Sequence, residues 1–175
     1  ADPRGKDTDS MNGNAVMYDA LIGKILTVGG AKDYNDAPAT NATYVTTLPS
    51  EPFSMPHIQE LKGKGMKYPR AYASSVLLPT GEVFITGVAT YAKQWADVNA
   101  TLVPGMFNPD TLAFASLAEM PIPRTYHSVA VLLSDATVLT GEGGLCWQKC
   151  LGPEDVTRQP PAAWITTNNT VNCEF

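Results

Sequence analysis

The chain has 175 residues, of which 44% are hydrophobic and 17% charged, and its net charge is −5 with a pI near 4.9. This composition excludes a disordered chain and is typical of a dense β protein. No cluster of Lys and Arg could neutralise phosphates, so we expect no nucleic acid partner. No apolar stretch approaches the ~20 residues that span a bilayer, so we expect no membrane partner.

The first third of the chain predicts a linker followed by a β-hairpin and a further strand. Residues 1–13 are polar, and we expect them to be a linker in an internal or processed piece of a longer protein. Two apolar runs, residues 15–18 and 25–28, flank a turn and end at a Gly-Gly pair, which is a hairpin pattern. Residues 42–48 favour a strand because Thr, Tyr and Val are good strand formers.

The segment after this strand shows little periodicity. Residues 58–61 predict at most a single turn, because helical spacing of apolar residues is scarce. His57 follows Ser54-Met55-Pro56 and has no candidate partner nearby. We therefore expect His57 to lie in a surface loop without a functional role.

One segment of the chain is a near-copy of another at an offset of 54 residues. The first copy begins Arg-Ala-Tyr-Ala-Ser at Arg70 and reaches Gly87, and the second begins Arg-Thr-Tyr-His-Ser at Arg124 and reaches Gly141. Each copy contains two strands and a turn, a pattern typical of β-propeller blades. Together with the first hairpin, the copies predict an all-β fold in which residues 14–146 form about three blades of a larger β-propeller.

The two copies differ at one position with chemical consequences, where Ala73 of the first is His127 of the second. A neutral imidazole is a good ligand for copper or zinc, and a tyrosine beside a metal can ligate as a phenolate. Neighbouring side chains of a regular strand point to opposite faces, so Tyr126 and His127 could share a metal only at an irregular strand start. The alternative is that Tyr126 packs between blades, as Tyr72 does in the first copy, and that His127 caps a strand.

Two aromatic loops follow the second strands of the first two hairpins. Tyr34-Asn35 lies after the first Gly-Gly pair, and Trp95 lies at a similar place after Gly87. Aromatic side chains in such loops either cover apolar surface or contact sugars and alcohols. Both interpretations stay open from the residues alone.

The last part of the chain departs from the repeat. Cys146 and Cys150 are close enough for a local disulfide, which would suit secretion, as would three Asn-x-Thr sequons. Too few Cys and His residues lie nearby for a zinc site. Residues 147–175 contain several prolines and no clear strand pair, so we expect a divergent, poorly ordered tail.

Taken in order, these segments resemble the later propeller blades of the copper radical oxidases, the family of galactose oxidase, glyoxal oxidase and related alcohol oxidases. The resemblance covers about residues 5–146. It is carried by residues 11–30, by the copy that starts at Arg70, and most strongly by Arg124-x-Tyr126-His127-Ser128 with Gly143-Gly144-Leu145-Cys146. It implies a kelch-type propeller, seven-bladed in the full-length family and followed by an immunoglobulin-like domain.

The resemblance also implies a site. The family holds one copper by two histidines, an axial tyrosine and a tyrosine cross-linked to cysteine; Tyr126 matches the axial tyrosine and His127 the first histidine. Tyr34-Asn35 matches a Tyr-Gln pair that lines the sugar pocket of galactose oxidase, and Trp95 falls where that enzyme has Phe. Because the indole of Trp95 is bulkier than a Phe ring, a flat or smaller alcohol is favoured over galactose.

The reaction that the resemblance implies divides a proton and a hydrogen atom between two tyrosines. Tyr126 takes the proton of a primary alcohol, the cross-linked tyrosine radical takes the hydrogen atom, and O₂ accepts the electrons to give H₂O₂ and an aldehyde. The Cys–Tyr pair and the second histidine match regions absent from this chain. We therefore expect a fragment of a secreted copper radical oxidase that is inactive alone. The alternative is a non-catalytic kelch-like module that binds a glycan or protein.

Overall fold

The computed structural model describes residues 10–87, 89–96 and 99–141, together with the strand at residues 170–171. This part of the chain is all-β, as predicted, and contains no helix. The strands, in chain order, are β1 (Asn14–Asp19), β2 (Lys24–Val28), β3 (Ala37–Pro38), β4 (Thr43–Thr47), β5 (His57–Glu60), β6 (Ser74–Leu77), β7 (Val83–Thr86), β8 (Tyr91–Ala92), β9 (Gly105–Asn108), β10 (Ala113–Ser116), β11 (Val129–Leu132), β12 (Val138–Gly141) and β13 (Thr170–Val171).

Three antiparallel sheets succeed one another along the chain. The first has the order β1-β2-β4-β5, the second β6-β7-β9-β10 and the third β11-β12-β13. The first strands of the three sheets are neighbours: Asn14 Nδ2 donates to the Ala73 carbonyl at 2.8 Å, and Ser74 Oγ donates to the Ser128 carbonyl at 2.9 Å. Strands β1, β6 and β11 therefore lie side by side, and the residues just before them converge at one edge of the molecule.

The hydrophobic core lies between the sheets. All residues of β7, Val83 to Thr86, are inaccessible to solvent, with Val83 and Ile85 facing the first sheet and Phe84 facing the third. Burial on both faces explains why β7 is almost continuously apolar. The buried residues of β2, Leu26 and Val28, belong to the same hydrophobic cluster as Val83 and Ile85.

A buried arginine and a close glycine occupy the junction between sheets. Arg70 is only 2% exposed, and its guanidinium donates to the carbonyl of Gly87 at 3.0 Å and to that of Val103. Burial lowers the pKa of Arg70 to about 10. Because this pKa is still well above neutral, the side chain remains charged at neutral pH. A Cβ on Gly29 would lie 2.3 Å from the Arg70 carbonyl oxygen, so this approach requires glycine.

Two long loops leave the sheets at the edge where β1, β6 and β11 begin. Strand β3 of the loop after β2 pairs with β8 of the loop after β7, with Ala37 opposite Ala92. Lys93 Nζ contacts Asp36 Oδ1 at 2.6 Å, which adds an ion pair to this link. The pairing brings the two predicted aromatic loops together.

Two parts of the sequence interpretation differ from the structure. Residues 57–60 form strand β5, with Thr46 opposite Ile58, where we expected at most a turn. This strand lies at the edge of its sheet and exposes most of its side chains, so it lacks the apolar pattern of a core strand. His57 is exposed, as expected, but lies on this strand.

The predicted tail contributes a strand that its sequence did not reveal. Thr170 and Val171 form β13, which pairs with β12. The remainder of residues 147–175, and the predicted disulfide of Cys146 and Cys150, lie outside the described residues. Among the residues that the structure places, no helix has the length and apolar character needed to cross a membrane.

Candidate active site

A tight turn places the side chains of Tyr126 and His127 on the same side of the chain. The Ser128 N–H donates to the Thr125 carbonyl at 2.9 Å, and His127 has a left-handed φ of 70°. Such a φ at the third turn position is what a type II turn requires, and histidine is among the non-glycine residues enriched there. The two rings stack with centroids 3.9 Å apart and planes at 29°. The irregular strand start that a shared metal would need is therefore present.

The backbone at this turn differs from that of the first repeat copy. There the left-handed residue is Tyr72, with φ of 60°, whereas in the second copy the left-handed position has moved one residue to His127. Ala73, the counterpart of His127, packs against the hydrophobic core, while His127 is exposed. The substitution therefore coincides with a change of backbone path that turns the imidazole to the surface.

Trp95 lies against both predicted ligands. Its ring centroid is 4.9 Å from that of Tyr126 and 5.0 Å from that of His127, with interplanar angles of 88° and 81°. Edge-to-face contacts of this kind are favourable for aromatic pairs. Trp95 therefore forms one side of the site that contains Tyr126 and His127.

Tyr34 approaches Tyr126 from the other loop. Its O–H donates to the Tyr126 hydroxyl oxygen at 3.2 Å, and the two ring centroids are 6.3 Å apart. Tyr34 is 46% exposed, so the hydroxyl pair lies at the surface of the cluster. The structure thus brings together four of the predicted site residues, Tyr34, Trp95, Tyr126 and His127.

The fifth predicted residue, Asn35, holds the two loops together. Its Nδ2 donates to Asp36 Oδ2 at 3.0 Å, and its Oδ1 accepts the Gln94 backbone N–H at 3.0 Å. The bond with Gln94 connects the Tyr34 loop to the residue before Trp95, whereas the bond with Asp36 lies within the Tyr34 loop. Asn35 therefore joins the two loops through its side-chain oxygen.

Tyr72 belongs to the same cluster, although the sequence interpretation assigned it to packing between blades. Its ring lies 5.1 Å from Tyr126 and 5.6 Å from Tyr34, and its O–H donates to the Tyr34 carbonyl. Burial, with smaller contributions from Tyr34, Tyr126 and Asp36, raises the pKa of Tyr72 to about 12. The repeat contained the signal, since Tyr72 aligns with Tyr126 at the offset of 54 residues.

The surroundings of Tyr126 favour its neutral form. Hydroxyl hydrogens rotate, so the neutral Tyr126 phenol can also donate to Tyr34, and this hydrogen bond raises the pKa of Tyr126. Burial acts in the same direction, whereas a hydrogen bond with the Gln94 side chain lowers the pKa. The phenol is accordingly protonated at neutral pH in the absence of a cation.

The donor groups at the site suit a transition metal but are few. An imidazole is a good copper ligand, and Tyr126 offers a phenol oxygen on the same side of the turn. Within residues 10–87, 89–96 and 99–141, no cluster of three or more His, Cys, Asp and Glu side chains could hold a metal ion. The described site thus offers Tyr126 and His127 as its metal donors.

Comparisons with known proteins agree on one family. Residues 12–145 match the family model described as glyoxal oxidase N-terminus. A galactose oxidase of Gibberella zeae is 41% identical over 143 residues, which are 82% of this chain and 21% of the relative. An aldehyde oxidase of Arabidopsis thaliana is 33% identical over 85 residues, 46% of this chain and 14% of the relative.

A solved structure is similar as well. A fungal alcohol oxidase of the AA5 family in complex with copper superposes with a TM-score of 0.77 at 39% identity, covering 84% of this chain and 30% of that chain. The chain thus spans less than a third of the length of each of these relatives. The predicted resemblance is confirmed, and the chain belongs to the glyoxal oxidase N-terminus family.

Proposed function

We propose that the chain is part of a secreted copper radical oxidase in which Tyr126 and His127 are two of the copper ligands. The observation that carries the proposal is the turn at Thr125–Ser128, which stacks a phenol and an imidazole 3.9 Å apart on one side of the chain. The relatives named as galactose oxidase and as a copper-bound alcohol oxidase support the choice of metal. The sequons and the spacing of Cys146 and Cys150 support secretion.

We also propose that the three sheets are successive blades of a kelch-type β-propeller. Their first strands, β1, β6 and β11, are neighbours, and each following strand is antiparallel to the last. This arrangement suits blades whose inner strands surround an axis. Residues that precede inner strands, such as Tyr126 and His127, would then lie near that axis, where residues of other blades can supply further ligands.

The chemistry assigned to this chain is proton transfer and orientation. Tyr126 Oη would accept the hydroxyl proton of a primary alcohol or of a hydrated aldehyde, with the Tyr34 hydroxyl 3.2 Å away as its hydrogen-bond partner. Copper, with a cross-linked tyrosine radical, supplies hydrogen-atom abstraction and electron transfer to O₂ when bound, which yields H₂O₂. Trp95, Tyr34 and Asn35 are proposed to orient the substrate, and the bulk of the Trp95 indole favours a flat or smaller alcohol over galactose.

Copper binding to the chain tests the proposal. Cu²⁺ would be titrated into the protein and into the variants His127→Ala and Tyr126→Phe, with affinity and ligand nitrogen hyperfine structure read by electron paramagnetic resonance. We expect both variants to bind Cu²⁺ more weakly and His127→Ala to lose the nitrogen signal. His57→Ala is the control, because His57 is exposed on β5.

The outcomes separate the two functional classes. Cu²⁺ binding that survives His127→Ala but is lost in His57→Ala would refute the assignment of the ligands. No saturable binding by the parent protein would instead favour the alternative, a non-catalytic module that binds a glycan or protein.

A further inference from the structure

Tyr34 is contacted from the equivalent position of three successive repeats. Tyr126 and Tyr72 are equivalent in the two repeat copies. Asn12 is the counterpart of Tyr72 in the first sheet, because Asn12 lies two residues before β1 and Tyr72 lies two residues before β6. Asn12 Nδ2 donates to the Tyr34 carbonyl at 3.1 Å, and the Tyr72 hydroxyl donates to the same carbonyl. The Tyr126 hydroxyl pairs with the Tyr34 hydroxyl at 3.2 Å.

The backbone reinforces this arrangement. Asn12 and Tyr72 both have left-handed φ angles, 55° and 60°, and the Tyr72 N–H donates to the Asn12 carbonyl at 2.8 Å. A left-handed φ is common for asparagine but is an outlier for a bulky residue such as tyrosine. Such outliers persist where the surrounding structure holds them and cluster at functional sites. Tyr72 is therefore held in place by partners on two sides.

We propose that Tyr72, together with Asn12, is a positioning residue that holds Tyr34 against Tyr126. The inference rests on the proposed function, in which Tyr126 is a copper ligand and proton acceptor. Two donors from different sheets fix the Tyr34 main chain, and the Tyr72 ring packs edge-on against both Tyr34 and Tyr126. Tyr34 is 46% exposed, so without these contacts its side chain would be free to leave Tyr126 for solvent.

The role assigned to Tyr72 differs from packing between blades. A packing residue acts through its ring, which Tyr72→Phe retains, whereas a positioning residue acts here through the O–H that this variant removes. In the double variant Asn12→Ala/Tyr72→Phe, both side-chain donors to the Tyr34 carbonyl are lost. Tyr91→Phe is the matched control, because Tyr91 lies in the same loop pair on β8 and is exposed.

The first readout is independent of copper. Proteins with labelled tyrosine would be compared by nuclear Overhauser spectroscopy for ring contacts between Tyr34 and Tyr126. We expect these contacts in the parent and in Tyr91→Phe, weaker contacts in Tyr72→Phe, and none in the double variant. Unchanged backbone amide shifts in β6 and β7 verify that each variant is folded. Equal contacts in the parent and in the double variant would overturn the proposal.

The second readout connects the positioning to the metal. Residues that hydrogen-bond a metal ligand commonly change metal affinity 10–100-fold when removed. We expect Tyr34→Phe and Tyr72→Phe each to weaken Cu²⁺ binding, with Tyr34→Phe losing about tenfold and the pair losing no more than Tyr34→Phe alone. Additive losses would overturn the proposal, because Tyr72 would then act independently of Tyr34. If the parent binds no Cu²⁺, the proposed function fails while the ring contacts still decide the role of Tyr72.

Discussion

Replacing Gly29 by alanine tests whether the sheets depend on a close approach between backbones. A Cβ at this position would lie 2.3 Å from the Arg70 carbonyl oxygen and 3.3 Å from its carbon. Both neighbours are main-chain atoms at a junction where Arg70 is buried, so neither can move as a flexible side chain would. Gly29 also has a φ of +60°, a conformation that costs an L-residue about 1–2 kcal/mol.

The two costs can be separated by a matched glycine. Gly63 has a similar φ of +71°, and a Cβ there meets nothing within 4 Å. We expect Gly63→Ala to lose only the conformational term of about 1–2 kcal/mol. Gly29→Ala adds overpacking, typically about 1–3 kcal/mol, for a total of about 2–5 kcal/mol. That total is a large part of the ~5–15 kcal/mol that stabilises ordinary domains.

Urea unfolding followed by circular dichroism measures both variants under the same conditions. A difference of about 1–3 kcal/mol between Gly29→Ala and Gly63→Ala would equal the expected clash. If both variants lost the same free energy of unfolding, the junction would have room for a Cβ. The interpretation of Gly29 as a contact between sheets would then be wrong.

Three further predictions concern stability and use the same assay. Phe107→Ala should lower the free energy of unfolding by about 3–5 kcal/mol, because the Phe107 side chain is inaccessible to solvent. Phe53 is fully exposed, so Phe53→Ala should lower it by less than about 0.5 kcal/mol. Equal losses in the two variants would refute the assignment of Phe107 to the core. Arg70→Met should lower the free energy of unfolding by about 3 kcal/mol or more, because the hydrogen bonds from the charged guanidinium to two carbonyls are lost. An unchanged free energy of unfolding would refute the stabilising role of these bonds. Burial, and then Asp19, raise the pKa of Tyr18 above 10.0, so the unfolded chain loses that proton first. The free energy of unfolding should therefore fall as the pH rises above 10.0, and it should fall less steeply in Tyr18→Phe. The same dependence on pH in the parent and in Tyr18→Phe would contradict this role of Tyr18.

Local patterns predicted the hairpins well. Strands β1, β2 and β4 differ from the predicted segments, residues 15–18, 25–28 and 42–48, by one residue at one or both ends. Hairpins can be predicted because turn chemistry and strand propensity act over neighbouring residues. Strand β5 could not be predicted in this way, because this exposed edge strand forms only through its hydrogen bonds with the neighbouring strand β4.

The amino-acid sequence by itself determined the all-β class, the 54-residue repeat and the resemblance to a known oxidase family. These features depend on composition and on residues close together in the chain. The tertiary structure decided that His127 takes the left-handed turn position and that Tyr72 joins the site. The deciding contacts join residues 38 and 92 positions apart, Tyr72 to Tyr34 and Tyr34 to Tyr126. Such contacts arise only when separate sheets pack side by side, and no local pattern encodes the resulting distances.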